Sequence, residues 1–381
     1  MKKIVFLTLS LTRGGAERVI ANLCNDAFSS EYDVTVVMCM KAPMEYPLAD
    51  SVKTVTLDQS EEEWHQGMTK RFPRRRRALG RILQDIRPDL IISFLPEPNF
   101  LALSLRRKFG IPTIISVRND PVREYAGMVR TLLMKHLYPK ADGYVFQTNQ
   151  AKEYFAFDKH IMENCRVIMN PLNPIFLEEV PCNRDTKRIV TVGRLEKQKN
   201  QAILINAFIG LSERFPGWTL DLYGEGSLRP ELETLIGDHA DVVRLMGETS
   251  DMRGVFSQTA LFVLPSLYEG MPNALMEAMA MGIPCIATDC PCGGPAMLIQ
   301  NGENGLLVPV DEYRAIEEGD SSTTGMALQG AMERVMTDSA LRDKIGENAK
   351  AIRESANPAS ALNEWLKYAK EVIEKSEEDN T

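Results

Sequence analysis

The sequence predicts an α/β fold made of two consecutive domains, each with a parallel sheet covered by helices on both faces. The chain has 381 residues, which is more than one hydrophobic core usually organises. Short runs rich in Val and Ile alternate with amphipathic helical stretches, and this alternation is typical of buried parallel strands. The series starts at the N-terminus and starts again at residue 188, after a segment punctuated by prolines.

Six segments of the first half are predicted strands, near residues 4–9, 34–40, 52–57, 89–95, 112–117 and 143–148. The first of them, with its preceding lysines, also imitates a secretion signal, but no small-residue cleavage site follows, so a strand is favoured. The sequence NPLNP at 170–174 is the predicted linker. We therefore predict domains at 1–178 and 186–355. Residues 312–325 are polar and are expected to form an exposed loop.

The most informative stretch of the second half is LFVLPSLYEGMPNALMEAMAMGIPCIAT, residues 261–288. An apolar strand leads into a turn with Glu269 and Gly270, and a helix begins near Asn273. Ligands of parallel sheets bind at the carboxyl ends of strands, and helix N-termini attract phosphate through their unpaired N–H groups and the helix dipole. Glu269 precedes that N-terminus and Glu277 follows it by about one turn. One carboxylate could hold sugar hydroxyls and the other a ribose.

A second motif, GRLEKQKN at 193–200, places Arg194 and Lys199 beside a glycine turn at the end of a strand. The planar fork of arginine and the point charge of lysine both suit phosphate. Further glycine turns follow the predicted strands at 219–223 and 242–246, the second of them at Gly247. Because parallel strands bring such turns to the same end of the sheet, their convergence predicts a nucleotide site.

Two weaker signals lie in the first half. Gly14 and Gly15 follow the first strand, where a phosphate or sugar could approach the backbone, although a plain turn explains the pair equally well. Arg118, Asn119 and Asp120 follow another strand, at the edge where a substrate cleft opens. Asn and Asp before a proline are also common turn formers, so that alternative stays open.

A basic segment with Arg74, Arg75, Arg76 and Arg77 lies on a predicted amphipathic helix. Such a helix is attracted to an anionic membrane or to a pyrophosphate-linked acceptor, and the alternatives are a solvated face or a salt-bridge cluster. The helix predicted at 122–138 could be a second membrane-facing element, although core packing explains its methionines equally well. Nucleic acid is disfavoured by the acidic pI of about 5.3 and the lack of a binding motif.

The amino-acid composition is typical of a soluble protein and argues against a membrane-spanning chain and a structural zinc site. Apolar residues at 44% and charged residues at 25% are ordinary for a soluble globular chain, and no window approaches the length of a membrane span. The seven cysteines and four histidines are too scattered for a structural zinc site, so reduced thiols in the cytoplasm are expected. The net charge of −8 is uneven, with a positive first half and a negative second half, so the first half is expected to face an anionic partner.

Three features together resemble the retaining glycosyltransferases of family 4, which have the GT-B fold. These are Gly-Gly-x-Glu at 14–17, GRLEKQKN at 193–200, and the spacing of Glu269 and Glu277. The resemblance covers essentially the whole chain. It implies two Rossmann-like domains facing across a cleft, an N-terminal one for the acceptor and a C-terminal one for the nucleotide sugar, with residues 358–381 packing back on the first.

The resemblance also implies roles for individual residues. Arg194 and Lys199 would hold the donor diphosphate, Glu269 the hydroxyls of the transferred sugar, and Glu277 the nucleotide ribose; the first three form the predicted catalytic set. The other predicted donor-binding residues are Gly14, Gly15, Gly193, Gly247, Gly270, Met271, Asn273 and Ala274. Many members carry a histidine on the acceptor side, whereas this chain has Arg-Asn-Asp at 118–120. That variant resembles polysaccharide-assembly members, many of which use UDP-sugars, so a UDP-hexose or UDP-N-acetylhexosamine donor is expected.

The chemistry requires a leaving group whose charge is stabilised. Cleavage of the anomeric C–O bond leaves a doubly charged diphosphate, which Arg194, Lys199 and the helix N-terminus at Asn273 could stabilise without a metal. We expect transfer to a lipid-linked or polysaccharide acceptor, in the cytoplasm or at the inner face of the membrane. A UDP-sugar 2-epimerase and a non-catalytic nucleotide-binding partner in polysaccharide assembly are the alternatives. A dinucleotide-dependent oxidoreductase is excluded by the absence of GxGxxG.

Overall fold

The computed structural model describes residues 1–12, 14–311 and 322–378. The chain divides into two compact units, one made of Met1–Pro171 with Ala359–Thr381 and the other of Leu172–Pro358. We refer to them as unit 1 and unit 2. The division falls inside the NPLNP segment, somewhat before the predicted end of the first domain at 178. The loop expected at 312–325 lies outside the described residues up to 321, and from Ser322 the chain is helical.

Unit 1 is built on a seven-stranded parallel sheet with the order β3-β2-β1-β4-β5-β6-β7. Its strands are β1 (Lys3–Thr8), β2 (Asp33–Met38), β3 (Lys53–Thr56), β4 (Leu90–Phe94), β5 (Thr113–Ser116), β6 (Gly143–Phe146) and β7 (Cys165–Val167). The chain runs outward from β1 to one edge and from β4 to the other, so the order reverses between these two strands. Ligands of such sheets bind where the order reverses, at the carboxyl ends.

The helices of unit 1 fill the connections between these strands. They are α1 (Gly15–Asn22, continued by a π-helical turn at Leu23–Phe28), α2 (Glu61–His65), α3 (Met68–Ile86), α4 (Pro96–Phe109), α5 (Pro121–Glu124), α6 (Met128–Leu137), α7 (Asn149–Glu153) and α8 (Lys159–Glu163). Strands β1 and β4 are buried along almost their whole length, which is why their sequences are continuous apolar runs.

Unit 2 has a six-stranded parallel sheet with the order β10-β9-β8-β11-β12-β13. Its strands are β8 (Arg188–Val192), β9 (Thr219–Tyr223), β10 (Val243–Gly247), β11 (Leu261–Leu264), β12 (Cys285–Thr288) and β13 (Leu306–Val308). Its helices are α9 (Gln201–Ser212), α10 (Arg229–Ile236), α11 (Met252–Ser257), α12 (Asn273–Ala280), α13 (Gly294–Leu298), α14 (Ser322–Thr337), α15 (Ser339–Ala349) and α16 (Ile352–Ser355). Here the strand order reverses between β8 and β11.

The last helix, α17 (Pro358–Glu378), completes unit 1. Trp365 is almost fully buried, and its ring stacks on Phe94 at 5.5 Å between centroids. The Tyr368 hydroxyl accepts a hydrogen bond of 2.9 Å from the Tyr144 amide in β6. The C-terminal helix therefore belongs to the core of the N-terminal unit, as the GT-B resemblance implies.

The α/β class predicted from the sequence is confirmed in both units, since each has a parallel sheet of the doubly wound type. All seven cysteines are free thiols. Among the helices in the described part of the chain, none combines the length and apolar character that crossing a bilayer requires.

Candidate active site

The glycine turns that follow β8, β9 and β10 are hydrogen-bonded to one another at the carboxyl edge of the unit 2 sheet. The Gly193 amide donates to the Tyr223 carbonyl at 2.9 Å, and the Gly224 amide donates to the Gly247 carbonyl at 2.8 Å. Gly224 has a φ of 135°, and a Cβ there would lie 2.1 Å from the Gly193 carbonyl oxygen. Only glycine fits this approach. The structure thus brings Gly193 and Gly247 to one end of the sheet.

The turn between β11 and α12 forms the adjacent wall of the same edge. Gly270 and Met271 are buried, while Asn273 and Ala274 are partly exposed at the start of α12. The amides of this first turn have no acceptor within the helix, and the residue that precedes it is a proline. A Cβ on Gly294, in α13, would lie 1.6 Å from the Gly270 carbonyl oxygen. This close backbone contact holds the turn in place and leaves a helix N-terminus suited to an anion.

Lys199 and Glu269 form an ion pair across the ends of the neighbouring strands β8 and β11. The Lys199 ammonium donates to Glu269 Oε1 at 2.5 Å, and the Ser266 hydroxyl donates to the same oxygen at 2.6 Å. The Glu269 side chain is buried, whereas Lys199 is partly exposed. An ammonium has three N–H donors, so Lys199 can hold Glu269 and still donate to a phosphate oxygen. Lys199, which can bind an anion, and Glu269, which can bind hydroxyls, are therefore in direct contact.

Side chains that the sequence analysis missed support this pair. The Gln198 Nε2 atom donates to the Tyr268 carbonyl at 2.9 Å, which connects the turn after β8 to the turn after β11. The Gln201 amide donates to the Arg194 carbonyl at 2.9 Å. Ser266 had one signal in the sequence, a polar residue two positions after the end of the buried strand β11. The two glutamines had none, because their role depends on which turns become neighbours.

Arg194 lies in the turn after β8, as Lys199 does. Glu277 lies on α12, the helix that follows the turn with Glu269. The Arg194 side chain is 63% exposed, and its Nη1 donates to the Glu196 carboxylate at 3.2 Å. Glu277 is buried on α12, one turn beyond Asn273. An exposed guanidinium can exchange the Glu196 carboxylate for a ligand phosphate at little cost, because surface ion pairs contribute about 0–1 kcal/mol.

Arg118 is anchored at the carboxyl edge of the unit 1 sheet. Its guanidinium donates to Asn170 Oδ1, which also accepts from Gln147 Nε2 at 2.9 Å. Burial lowers the pKa of Arg118 to about 10. The sequence analysis missed Asn170 and Gln147, although each lies shortly after a strand. Gln147 follows β6, and Asn170 follows β7. The three residues form a polar cluster beyond the carboxyl ends of β5, β6 and β7.

The neighbours of Arg118 in sequence have different roles. Asp120 precedes α5, and its Oδ1 accepts from the Val122 amide at 2.9 Å, so the turn-forming alternative accounts for its position. Burial raises the pKa of this carboxyl. Asn119 is half-buried between Arg118 and Asp120.

The predicted glycine pair opens α1. Gly14 is extended, with a φ of −174°, so its conformation does not demand glycine. The carboxylate of Glu17 occupies the space a Cβ would take, at 2.1 Å from that position. Gly15 is exposed at the first position of the helix. Glu17 is also close enough to Arg118 to oppose the lowering of its pKa by burial.

The basic segment on α3 is largely an internal ion-pair cluster of unit 1. Arg75 is fully buried and pairs with Asp58 and with Glu97, the latter at 2.5 Å. Arg74 pairs with the same buried Asp58 at 2.6 Å, and Arg71 with Glu97 at 2.9 Å. The membrane role predicted for Arg75 is wrong, because a guanidinium enclosed by two carboxylates cannot contact lipid. The salt-bridge alternative describes Arg74 and Arg75.

The other two arginines of this segment point outward. Arg76 is exposed and donates to the Ser104 hydroxyl at 3.1 Å. Arg77 is exposed and donates to the Pro73 carbonyl at 3.3 Å. Both remain available to an anionic partner.

Solved structures with the same fold align with nearly the whole chain. Anabaena HepE in complex with UDP aligns with a TM-score of 0.75 at 18% identity, over 96% of this chain and 98% of that chain. Sucrose-phosphate synthase from Thermosynechococcus elongatus aligns with a TM-score of 0.80 at 18% identity, over 98% and 100%. At such identities the likeness concerns the fold, and the chain has the GT-B fold.

The chain belongs to the family 4 glycosyltransferases. The family model described as Glycosyltransferase Family 4 matches residues 13–175, and the model described as Glycosyl transferases group 1 matches residues 186–319. Together they match the greater part of both units, and the protein is therefore a glycosyltransferase.

Two relatives from Campylobacter jejuni subsp. jejuni serotype O:2 align over nearly their whole length. One is GalNAc-alpha-(1->4)-GalNAc-alpha-(1->3)-diNAcBac-PP-undecaprenol alpha-1,4-N-acetyl-D-galactosaminyltransferase, 25% identical over 98% of this chain and 99% of the relative. The other is N-acetylgalactosamine-N,N'-diacetylbacillosaminyl-diphospho-undecaprenol 4-alpha-N-acetylgalactosaminyltransferase, 26% identical over 97% and 99%.

Proposed function

We propose that this glycosyltransferase moves a hexose or N-acetylhexosamine from a UDP-sugar to a lipid-linked or polysaccharide acceptor, with retention of anomeric configuration. The observation that carries the proposal is the contact of Lys199, Glu269 and Ser266 beside the N-terminus of α12. The names of the two Campylobacter relatives, which act on undecaprenol-diphosphate glycans, support the acceptor class. The UDP complexes of HepE support the donor nucleotide.

The proposed chemistry uses fixed charge in unit 2. Lys199, Arg194 and the first amides of α12 take up the negative charge that develops on the leaving diphosphate, without a metal ion. Glu269, held by Lys199 and Ser266, accepts hydrogen bonds from hydroxyls of the transferred sugar. Glu277 receives the ribose. The leaving phosphate takes the proton of the acceptor hydroxyl on the same face, as the family resemblance implies, and the configuration at the anomeric carbon is retained.

A direct test mixes the purified protein with UDP-N-acetylgalactosamine and a synthetic lipid-diphosphate glycan. UDP release is expected only when both substrates are present, it should persist in EDTA, and NMR of the product should show an α-linkage. Turnover of the UDP-sugar without acceptor would instead indicate an epimerase. If the sugar nucleotide raises the melting temperature but no UDP is released with any acceptor, the protein is a non-catalytic partner. A ligand at about 100 times its dissociation constant stabilises the folded state by roughly 2.7 kcal/mol, so binding alone is measurable.

The helix α6 of unit 1 has an exposed apolar face. Four apolar side chains on this helix project into solvent: Met128, Val129, Leu132 and Leu133, which we name the α6 patch. The first three are 79%, 70% and 61% exposed. Arg130 and Lys135 flank the patch, and the helix has no acidic residue. An apolar face with a cationic border is typical of helices that lie in the interface of an anionic membrane.

We therefore propose peripheral association with the cytoplasmic membrane surface through the α6 patch. The double variant Val129→Ser/Leu132→Ser should sediment with phosphatidylglycerol vesicles at least tenfold more weakly than the wild type, because each buried side chain of this size contributes about 1.5–3 kcal/mol. Met326→Ser, at an exposed position of unit 2, is the control. If the α6 variant binds like the wild type while Arg76→Ala/Arg77→Ala loses binding, the α3 segment carries the association instead.

A further inference from the structure

Unit 1 contains a carboxyl group that neither the sequence analysis nor the proposed chemistry uses. Glu124 is the last residue of α5, the short helix that follows Arg118. Its Oε2 atom is enclosed by protein and has no hydrogen-bond partner among the residues the structure describes. The Nε atom of Arg118 is in the same situation, in a side chain that is 7% exposed. Buried polar atoms in folded proteins almost always have partners, so two such atoms near each other indicate a place for a ligand.

Several buried polar groups surround Glu124. Tyr125 and Tyr138 lie on one side, with their hydroxyls hydrogen-bonded to each other at 2.5 Å and that of Tyr138 also bonded to Asn99 at 3.1 Å. Asn99 is completely buried, and its Oδ1 is a further atom without a hydrogen-bond partner within the described ranges. Asn99 also donates to the carbonyl of Ser116, the last residue of β5, at 3.2 Å, so these groups lie at the carboxyl edge of the unit 1 sheet. The neighbouring strand β4 is one of the two strands between which the strand order reverses.

Charged groups face Glu124 from several elements. Burial, followed by the negative charge of Asp120, raises the pKa of Glu124 to about 8, and Arg118 and Arg130 oppose this rise. At neutral pH the group is therefore mainly a neutral carboxylic acid, which can donate one hydrogen bond and accept others. The charge of Arg118 is balanced in turn by Glu17. Little positive charge is left over for a phosphate, so the cluster fits a neutral ligand with hydroxyl or amide oxygens.

We propose that Glu124 binds the acceptor sugar of the transferase reaction, donating a hydrogen bond from its carboxylic acid to a sugar oxygen while Arg118 donates to a neighbouring one. This assignment rests on the proposed function and adds a specificity residue to it. The hydrogen bond from Arg118 to Asn170 fits this role, because it orients the planar guanidinium and thereby directs its remaining N–H groups.

Two substitutions of Glu124 distinguish the contribution of its hydrogen bond to acceptor binding from the contribution of its charge. Glu124→Ala should raise the KM for the glycan acceptor about tenfold and leave the KM for the UDP-sugar unchanged, because one hydrogen bond to the acceptor is lost. Glu124→Gln keeps an N–H donor and should retain most acceptor affinity. The wild-type acceptor KM should rise above pH 8, as the acid loses its proton, and the Glu124→Gln variant should not show this rise. Glu153→Gln, on an exposed face of unit 1, is the control.

A second measurement does not depend on activity. An acid whose pKa is raised by folding stabilises the fold below its ordinary pKa of 4.5, and this contribution is lost as the pH rises towards 8. The melting temperature of Glu124→Gln, measured relative to that of the wild type, should therefore rise between pH 5 and pH 8.5. The difference in melting temperature between Glu153→Gln and the wild type should stay constant over the same range.

The two measurements distinguish the possible failures. In one case no donor and acceptor pair is turned over, but the difference in melting temperature between Glu124→Gln and the wild type grows with pH. The proposed function then fails, and Glu124 is a carboxylic acid with a raised pKa and no acceptor role. If transfer is observed and Glu124→Ala changes neither the acceptor KM nor its pH dependence, Glu124 has a structural role and the acceptor assignment is overturned. A thermal difference that does not vary with pH overturns the neutral-acid form of the proposal.

Discussion

Replacement of Lys199 by alanine is expected to lower kcat for sugar transfer by about 10²–10³, since removal of one donor to a developing anion has effects of that size in other enzymes. The variant loses the ammonium that contacts Glu269 at 2.5 Å, so the leaving diphosphate loses a fixed positive charge and Glu269 loses a partner that orients it. Release of UDP at saturating acceptor and donor measures the effect on kcat.

The control for this experiment lies two residues away. Lys197 is exposed in the same turn, and Lys197→Ala removes an equal charge without touching Glu269. It should change kcat less than about twofold, in line with the weakness of exposed charges. Equal losses in both variants would mean that general electrostatic attraction, not the Lys199 contact, supports turnover. Unchanged turnover in Lys199→Ala would remove this lysine from the active site.

Replacement of Arg75 by alanine should destabilise unit 1 by about 3–5 kcal/mol, because it leaves the fully buried Asp58 with less compensation of its charge. For a unit of this size the melting temperature should fall by roughly 6–20 °C, at about 2–4 °C per kcal/mol. Thermal unfolding followed by circular dichroism measures the change.

Two further variants identify the cause of that loss. Arg77→Ala, in the same basic segment, removes an exposed guanidinium and should shift the melting temperature by no more than about 2 °C, as surface substitutions usually do. The double variant Arg75→Met/Asp58→Asn should recover part of the lost stability, since it removes the buried Asp58 charge together with that of Arg75, while Arg74 keeps Glu63 as a partner and Glu97 keeps Arg71. Similar melting temperatures for Arg75→Ala and Arg77→Ala would show that the buried cluster contributes little.

The positions of the strands along the chain could be predicted largely from local pattern. Runs such as those of β1, β4 and β11 are apolar on both faces, and this composition suits the interior of a parallel sheet. Glycine and proline mark the turns between them, because they permit or forbid particular backbone conformations. These are properties of single segments, which is why the sequence alone contains them.

Charged residues show where such local reasoning ends. Four consecutive arginines at 74–77 look alike in sequence, but Arg75 points inward to Asp58 and Glu97, while Arg76 and Arg77 point outward. The carboxylates that decide this come from a distant loop and from α4. The apolar face of α6 presents the opposite case, since its leucines and methionines suit a core equally well, and only packing shows which ones stay exposed.

The amino-acid sequence by itself determined the α/β class, the two domains, the family and the turns of unit 2 at which Lys199 and Glu269 stand, because each of these depends on residue pattern within a short stretch. Tertiary structure alone decided that Ser266 shares the Glu269 oxygen, that Arg118 is held by Asn170, and that one carboxyl oxygen of Glu124 is enclosed by protein. The physical reason is that the pairing and burial of charge depend on neighbours far apart in the chain, and those neighbours are set by how the strands associate.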